Sequence, residues 1–165
     1  AVEGSSMTMS KYALEAIKIV DSNKRQLAMD IFYERWKDNI IVLDTWFYLN
    51  SSSPSKNTLS KVLELLDHPK FDYSAPNSLR ALLGGFIANT LAFHSLDGSG
   101  YQFIAEQIIT IDKTNPIVAS KFTKSFSHWK NYSPLYSSLM FESISKISSC
   151  KLSSNTREVI DLISG

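Results

Sequence analysis

Three histidines, one cysteine and a single Asp-Gly-Ser-Gly run are the residues of this 165-residue chain best suited to bind or react. The run lies in FHSLDGSGYQF, residues 93–103, between two apolar stretches. An acid, a hydroxyl and two glycines in one loop suit a calcium ion or a phosphate. The spacing rejects both. Counted from Asp97, the alternating calcium positions hold Ser99 and Tyr101, and the twelfth, which needs a bidentate glutamate, holds Ile108. A dinucleotide loop needs a third glycine where Phe103 stands, and a strand before it. The run instead carries helix punctuation. Ser99 and Gln102 have capping-box spacing, Gly98 suits a left-handed turn residue, and Asp97 sits where a helix N-terminus favours negative charge. The loop reads as a joint between helices.

The other candidates form no constellation. His68, His94 and His128 fall on different segments, with no H-E-x-x-H and no cysteine pair to hold zinc. Cys150 lies in the serine-rich SISKISSCKLSS with no base beside it, so it reads as an inert thiol. No G-x-S-x-G marks a serine nucleophile. Trp36, Trp46, Phe47 and Trp129 recur at helical spacing and read as core.

The elements that must position these residues are helical almost throughout. Tyr12, Ala16, Ile17 and Val20 share one face of a first helix, and Leu27, Ile31, Tyr33 and Trp36 mark a second. NIIVLDTWFYLN, residues 39–50, is apolar enough for a mostly buried third helix; its β-branched start also fits a strand, but no partner strand is visible. Leu59, Val62, Leu63 and Leu66 mark a fourth. Val118, Phe122, Phe126 and Trp129 form one stripe, continued by Leu135, Leu139, Met140, Ile144 and Ile147, then Val159 and Ile163. Asn115-Pro116 and Ser133-Pro134 place a capping side chain before a first-turn proline, and Asn155 with Glu158 has capping-box spacing. Residues 77–94 are apolar on more than one face, which predicts a central helix buried nearly all round, with Arg80 its only charge. Gly84 and Gly85, with Ala81 and Ala88, predict close approach of a neighbouring backbone there. The expected fold is all-α: an irregular antiparallel array or HEAT-like superhelix of eight or nine helices, each about 10 to 16 residues long.

Composition narrows the class further. A net charge of +1 gives no electrostatic footprint for nucleic acid or an anionic membrane. The longest uncharged apolar run, residues 81–93, falls short of the roughly 20 residues that cross a bilayer. A lone cysteine fits a reducing compartment, so a cytoplasmic location is expected.

The wording of several segments adds what residue chemistry does not. FYERWKDNIIVLDTWF, the R-A-L-L-G-G-F run ending at Phe86, FHSLDGSGYQF and NPIVASKFTKSFSHWKNY follow one another in order. Together they resemble the C-terminal domain of the aminopeptidase N family, the bacterial-type zinc alanyl aminopeptidases, whose patterns include V-x-D-x-W-F, R-x-L-I-G-A-F, F-H-x-x-D-G-S-G-Y-x-F and N-P-Q-V-A-S-R. The resemblance implies that residues 1–165 form one helical domain packed over a catalytic domain of the same polypeptide, absent from this chain. It implies zinc in the full-length enzyme, polarising the scissile carbonyl and activating water, with none bound here and no catalytic residue here. The implied work is to close the active-site chamber to folded proteins while admitting peptides, from which the enzyme releases neutral or basic N-terminal residues such as alanine.

By the same resemblance, three positions line the substrate channel: Arg80, matching the arginine of R-x-L-I-G-A-F; Lys121, at the arginine of N-P-Q-V-A-S-R; and Ile117, at its glutamine. Arg80 also reads as a partner in an internal ion pair, and Lys121 as an ordinary exposed lysine. Lysine lacks the planar fork of arginine, and isoleucine lacks an amide. Thr90 and Ser78 also depart from the pattern, which has a proline and a basic residue there. The partners implied are the catalytic domain and peptide substrates. The competing reading is a free-standing helical-repeat module that holds a protein or peptide in its groove.

Overall fold

The computed structural model describes residues 6–16 and 23–165. The chain divides into two units, the first reaching Ala92 and the second running from Phe93 to Gly165. The expectation of an all-α array holds: the described residues contain ten α-helices and no strand.

The first unit holds α1 (Met7–Ala16), α2 (Asn23–Trp36), α3 (Ile40–Ser51), α4 (Thr58–Leu66) and α5 (Pro76–Ala88). The ambiguous third segment is a helix because Asn39 caps it, its Oδ1 accepting from the Val42 N–H at 3.3 Å. Helix α3 is the hub, contacting all four other helices. It buries Val42, Leu43, Trp46, Phe47 and Leu49, whereas Ile40 and Ile41 in its first turn are exposed.

Two faces differ from expectation. In α1, Ser10 and Leu14 point inward while Tyr12 and Ala16 are exposed; Ile17 and Val20 lie outside the described residues. In α2 the core face is Met29 and Phe32, and Leu27 is exposed. Residues 27 and 29 stand on opposite sides of a helix, so only one can be buried. Trp46 selects Met29: its Nε1 donates to the Met29 carbonyl at 3.1 Å and its ring stacks on Tyr33 at 4.8 Å. The roll of α2 is thus set by α3.

The expected long central helix over residues 77–94 ends early. Helix α5 stops at Ala88, and a single turn, α6 (Thr90–Phe93), follows. Asn89 breaks it: φ −82° and ψ 95° leave the helical region, and its buried Nδ2 donates to the Ser51 and Ser53 carbonyls at 3.1 and 2.8 Å. Nor is α5 buried all round. Leu79, Leu82, Leu83 and Phe86 face inward, but Asn77, Arg80 and Ala88 are exposed. The expected close approach falls at Gly85, where a Cβ would lie 2.2 Å from Ser51 Oγ and 3.2 Å from the Tyr48 carbonyl.

The second unit is built on α7 (Ser99–Ile111), which packs on α8 (Pro116–Thr123) and α9 (Pro134–Ser148); α10 (Ser154–Ser164) packs on α8 and α9. The apolar stripe from Val118 to Trp129 is not one helix. It becomes two 3-10 turns, Lys124–Phe126 and Trp129–Asn131. Ser125 and Ser127 donate their hydroxyls to the Phe122 and Lys124 carbonyls at 2.7 Å each, competing with the regular ladder. The stripe still points inward, with Val118, Phe122 and Phe126 buried. Asn115 caps α8 as expected, accepting from Val118 N–H at 3.4 Å. Helix α10 starts earlier than the sequence indicates: Ser153, not Asn155, accepts from Thr156 N–H at 3.3 Å. Ser133 precedes the first-turn Pro134 of α9 without a side-chain capping bond.

Candidate functional site

The three positions singled out by sequence fall on exposed helix faces. Arg80 projects from α5 with one side-chain hydrogen bond, Nη1 to Asn77 Oδ1 at 3.2 Å. It makes no ion pair among the described residues, so the internal-pair reading is not what the structure adopts. Arg80 borders a shallow cleft of about 290 Å³ lined by Lys11 from α1, Asp44, Thr45 and Tyr48 from α3, and Ala81. Asp44 accepts from the buried Ser78 Oγ at 2.9 Å, which ties this cleft carboxylate to α5. The cleft therefore presents two cations and one hydrogen-bonded carboxylate. Such a lining suits a ligand that carries charge and hydrogen-bonding groups.

Ile117 and Lys121 stand one turn apart on α8. Both are exposed, Ile117 by 59%, while Val118, Ala119 and Phe122 on the other side are buried. They form an apolar–cationic pair on one face. Arg80 belongs to the first unit and this pair to the second.

The DGSG loop is a joint, but a different one from the capping box of the sequence reading. Gly98 adopts φ 74°, the left-handed conformation expected of it. The first turn of α7 is satisfied by Asp97, whose Oδ1 accepts from Ser99 N–H at 3.0 Å and from the Ser99 hydroxyl at 2.7 Å; Ser99 itself is the first residue of the helix. These bonds, the backbone one foremost, hold the Asp97 carboxyl below the ordinary aspartate value.

The histidines are set apart. His68 lies against Tyr33, Trp46 and Phe47, with ring centroids 5.5, 5.6 and 5.6 Å away. Burial, then Lys70 and Lys61, push its imidazole below the usual value. His128 is exposed. His94 is half-buried among phenols, its Nδ1 hydrogen-bonded to Tyr101 Oη. Burial of Tyr101, helped by Tyr132 and Tyr136, pushes the Tyr101 phenol up to about 12. Cys150 donates its thiol to the Lys146 carbonyl at 3.4 Å. Among the described residues, no group of three or more His, Cys, Asp or Glu side chains converges as a metal site would require, so these residues do not fit zinc.

Sequence reasoning missed Lys11, Asp44 and Tyr48, which reach the Arg80 cleft only because α1 and α5 both pack on α3. It also missed a second polar cleft of about 180 Å³, bordered by Arg25, Asn50, Ser55, Asn57 and Lys61. No local spacing announces either.

Comparison with known proteins gives the geometry a context. Residues 1–164 match the family described as "Domain of unknown function (DUF3458_C) ARM repeats". Aminopeptidase N of Escherichia coli is 37% identical over 131 residues, which is 79% of this chain and 15% of that protein. Aminopeptidase N of Caulobacter vibrioides is 34% identical over 124 residues, 74% of this chain and 14% of that one. In the solved structures, Legionella pneumophila aminopeptidase A, in complex with aspartic acid, superposes with a TM-score of 0.90 at 31% identity over 96% of this chain and 19% of that one. The chain thus spans about one-seventh of the length of the curated relatives it matches. No helix among the described residues is long and apolar enough to cross a membrane. The chain belongs to the DUF3458_C family of ARM-repeat helical domains and is homologous to part of the aminopeptidases N and A.

Proposed function

We propose that residues 1–165 are the C-terminal helical domain of a zinc-dependent aminopeptidase, closing its active-site chamber and lining the channel through which peptides enter. The carrying observation is the homology along almost the whole chain to a fixed fraction of much larger aminopeptidases. The catalytic domain and peptide substrates are the partners, the compartment is the cytoplasm, and the zinc is held by the catalytic domain. The activity is release of neutral or basic N-terminal residues such as alanine.

In this reading, Arg80 and Lys121 face the channel as cations that attract the distal carboxylate of a bound peptide, and Ile117 supplies an apolar wall beside Lys121. The exposed Arg80 guanidinium has no ion-pair partner among the described residues, which supports its role. One exposed charge contact is worth up to about 1 kcal/mol. In the full-length polypeptide, Arg80→Ala should therefore lower kcat/KM for alanyl tri- and tetrapeptides by about two- to fivefold, while a single-residue alanyl chromogenic amide is unaffected. Equal effects on both substrates contradict the channel role. An aspartyl substrate belongs in the same assay, because the Legionella relative is solved with aspartic acid; preference for it over alanyl and lysyl substrates contradicts the side-chain assignment.

A further inference from the structure

The phenol-lined histidine of the second unit has no part in the channel reading, yet its setting is specific. His94 lies just after α6. Its Nδ1 meets Tyr101 Oη of α7, and its Nε2 stands 3.5 Å from Tyr132 Oη, at the end of the second 3-10 turn. The ring centroids of His94 and Tyr132 are 4.9 Å apart, and Tyr136 of α9 closes the far edge at 6.3 Å. One imidazole therefore joins the α6–α7 joint to the corner that leads into α9.

The proton arrangement follows from burial. Tyr101 is fully buried, and among the described residues its hydroxyl has no hydrogen-bond partner except His94. The hydroxyl must therefore donate to Nδ1, which leaves the proton of the neutral ring on Nε2, facing Tyr132. A second proton on the ring turns Nδ1 into a donor. The Tyr101 hydroxyl then loses its acceptor in a place water does not reach, and a buried polar group without a partner is costly. Every ring in contact with the imidazole is neutral: Phe93 on its own element, Tyr101 from α7, Tyr132 after the 3-10 turn and Tyr136 from α9. Among the described residues no carboxylate acts on the imidazole, and burial accounts for its depression.

We propose that His94 is a proton-operated latch that pins the start of α7 through the Tyr101 hydroxyl and loosens the α6–α7 joint in mild acid. The sign is fixed by linkage. The closed latch binds its proton more weakly than the open one, so closure is fully favoured above the ordinary histidine value near 6.5 and weakens as pH falls through it. With the open form titrating near 6.5 and the closed form below it, the opening constant at pH 5.5 rises by at most about tenfold.

Hydrogen–deuterium exchange of the full-length polypeptide at pH 7.5 and 5.5, corrected for intrinsic exchange rates, reads this directly. Peptides covering residues 94–103 should lose protection by up to about tenfold in acid, while α3 keeps its protection. His94→Gln, neutral at both pH values, should abolish the difference. Acid-insensitive protection of that segment in the wild type overturns the latch, as does an undiminished difference in the variant. If His94→Gln does not fold, the wild-type comparison decides alone.

Discussion

Asp112 has the most demanding surroundings of any single residue in the second unit. It is 6% exposed and accepts from Ser153 N–H at 2.6 Å and from the Ser153 and Thr156 hydroxyls at 2.5 Å each. Three charge-assisted bonds tie the end of α7 to the start of α10. Asp112→Ala leaves those donors without their acceptor and should destabilise the fold by about 2–4 kcal/mol, read as a lower urea midpoint at unchanged slope. The same residue explains a sequence error. Asn155 and Glu158 have capping-box spacing, but Ser153 is pinned by a carboxylate 41 residues earlier, so it starts the helix instead. Gly98 and Asn115 were legible because their roles are decided within three or four residues. The channel assignment of Arg80, Ile117 and Lys121 rests on resemblance, whereas Lys11 and Asp44 carry no sequence signal at all, because packing of helices creates the cleft they line.

At the scale of elements, the sequence pattern identified helices more reliably than their faces. The period of the apolar residues is a property of each segment, whereas the roll is a property of its neighbours. Tyr12 and Leu27 are exposed although each stands in apolar register, because Leu14 and Met29 win the contact with the rest of the unit. The interface of α3 with α5 is where a local signal did carry tertiary information. Two consecutive mid-helix glycines are unfavourable unless something needs the space, and Ser51 with Tyr48 occupies it at Gly85. Gly85→Ala should cost about 1–3 kcal/mol from overpacking, despite the better helix propensity of alanine. A thermal or urea midpoint equal to or above that of the wild type contradicts that close approach. The break at Asn89 was not legible, since its side chain is committed to two carbonyls more than 35 residues away.

At the scale of the whole molecule, a chain matching 14–15% of aminopeptidase N shares their ancestry but represents only a part of such a protein. Its described residues offer charged clefts and a helical framework, and no convergent set of metal ligands. In the proposed function the chemistry lies in the remainder of the polypeptide and enclosure falls to this part. The most direct test compares zinc content and alanyl-peptide hydrolysis of the full-length polypeptide with those of the 165-residue chain alone. The account predicts bound zinc and turnover for the former, and neither for the latter. Zinc retained by the isolated chain in stoichiometric amount, or peptide cleavage by it, contradicts the account.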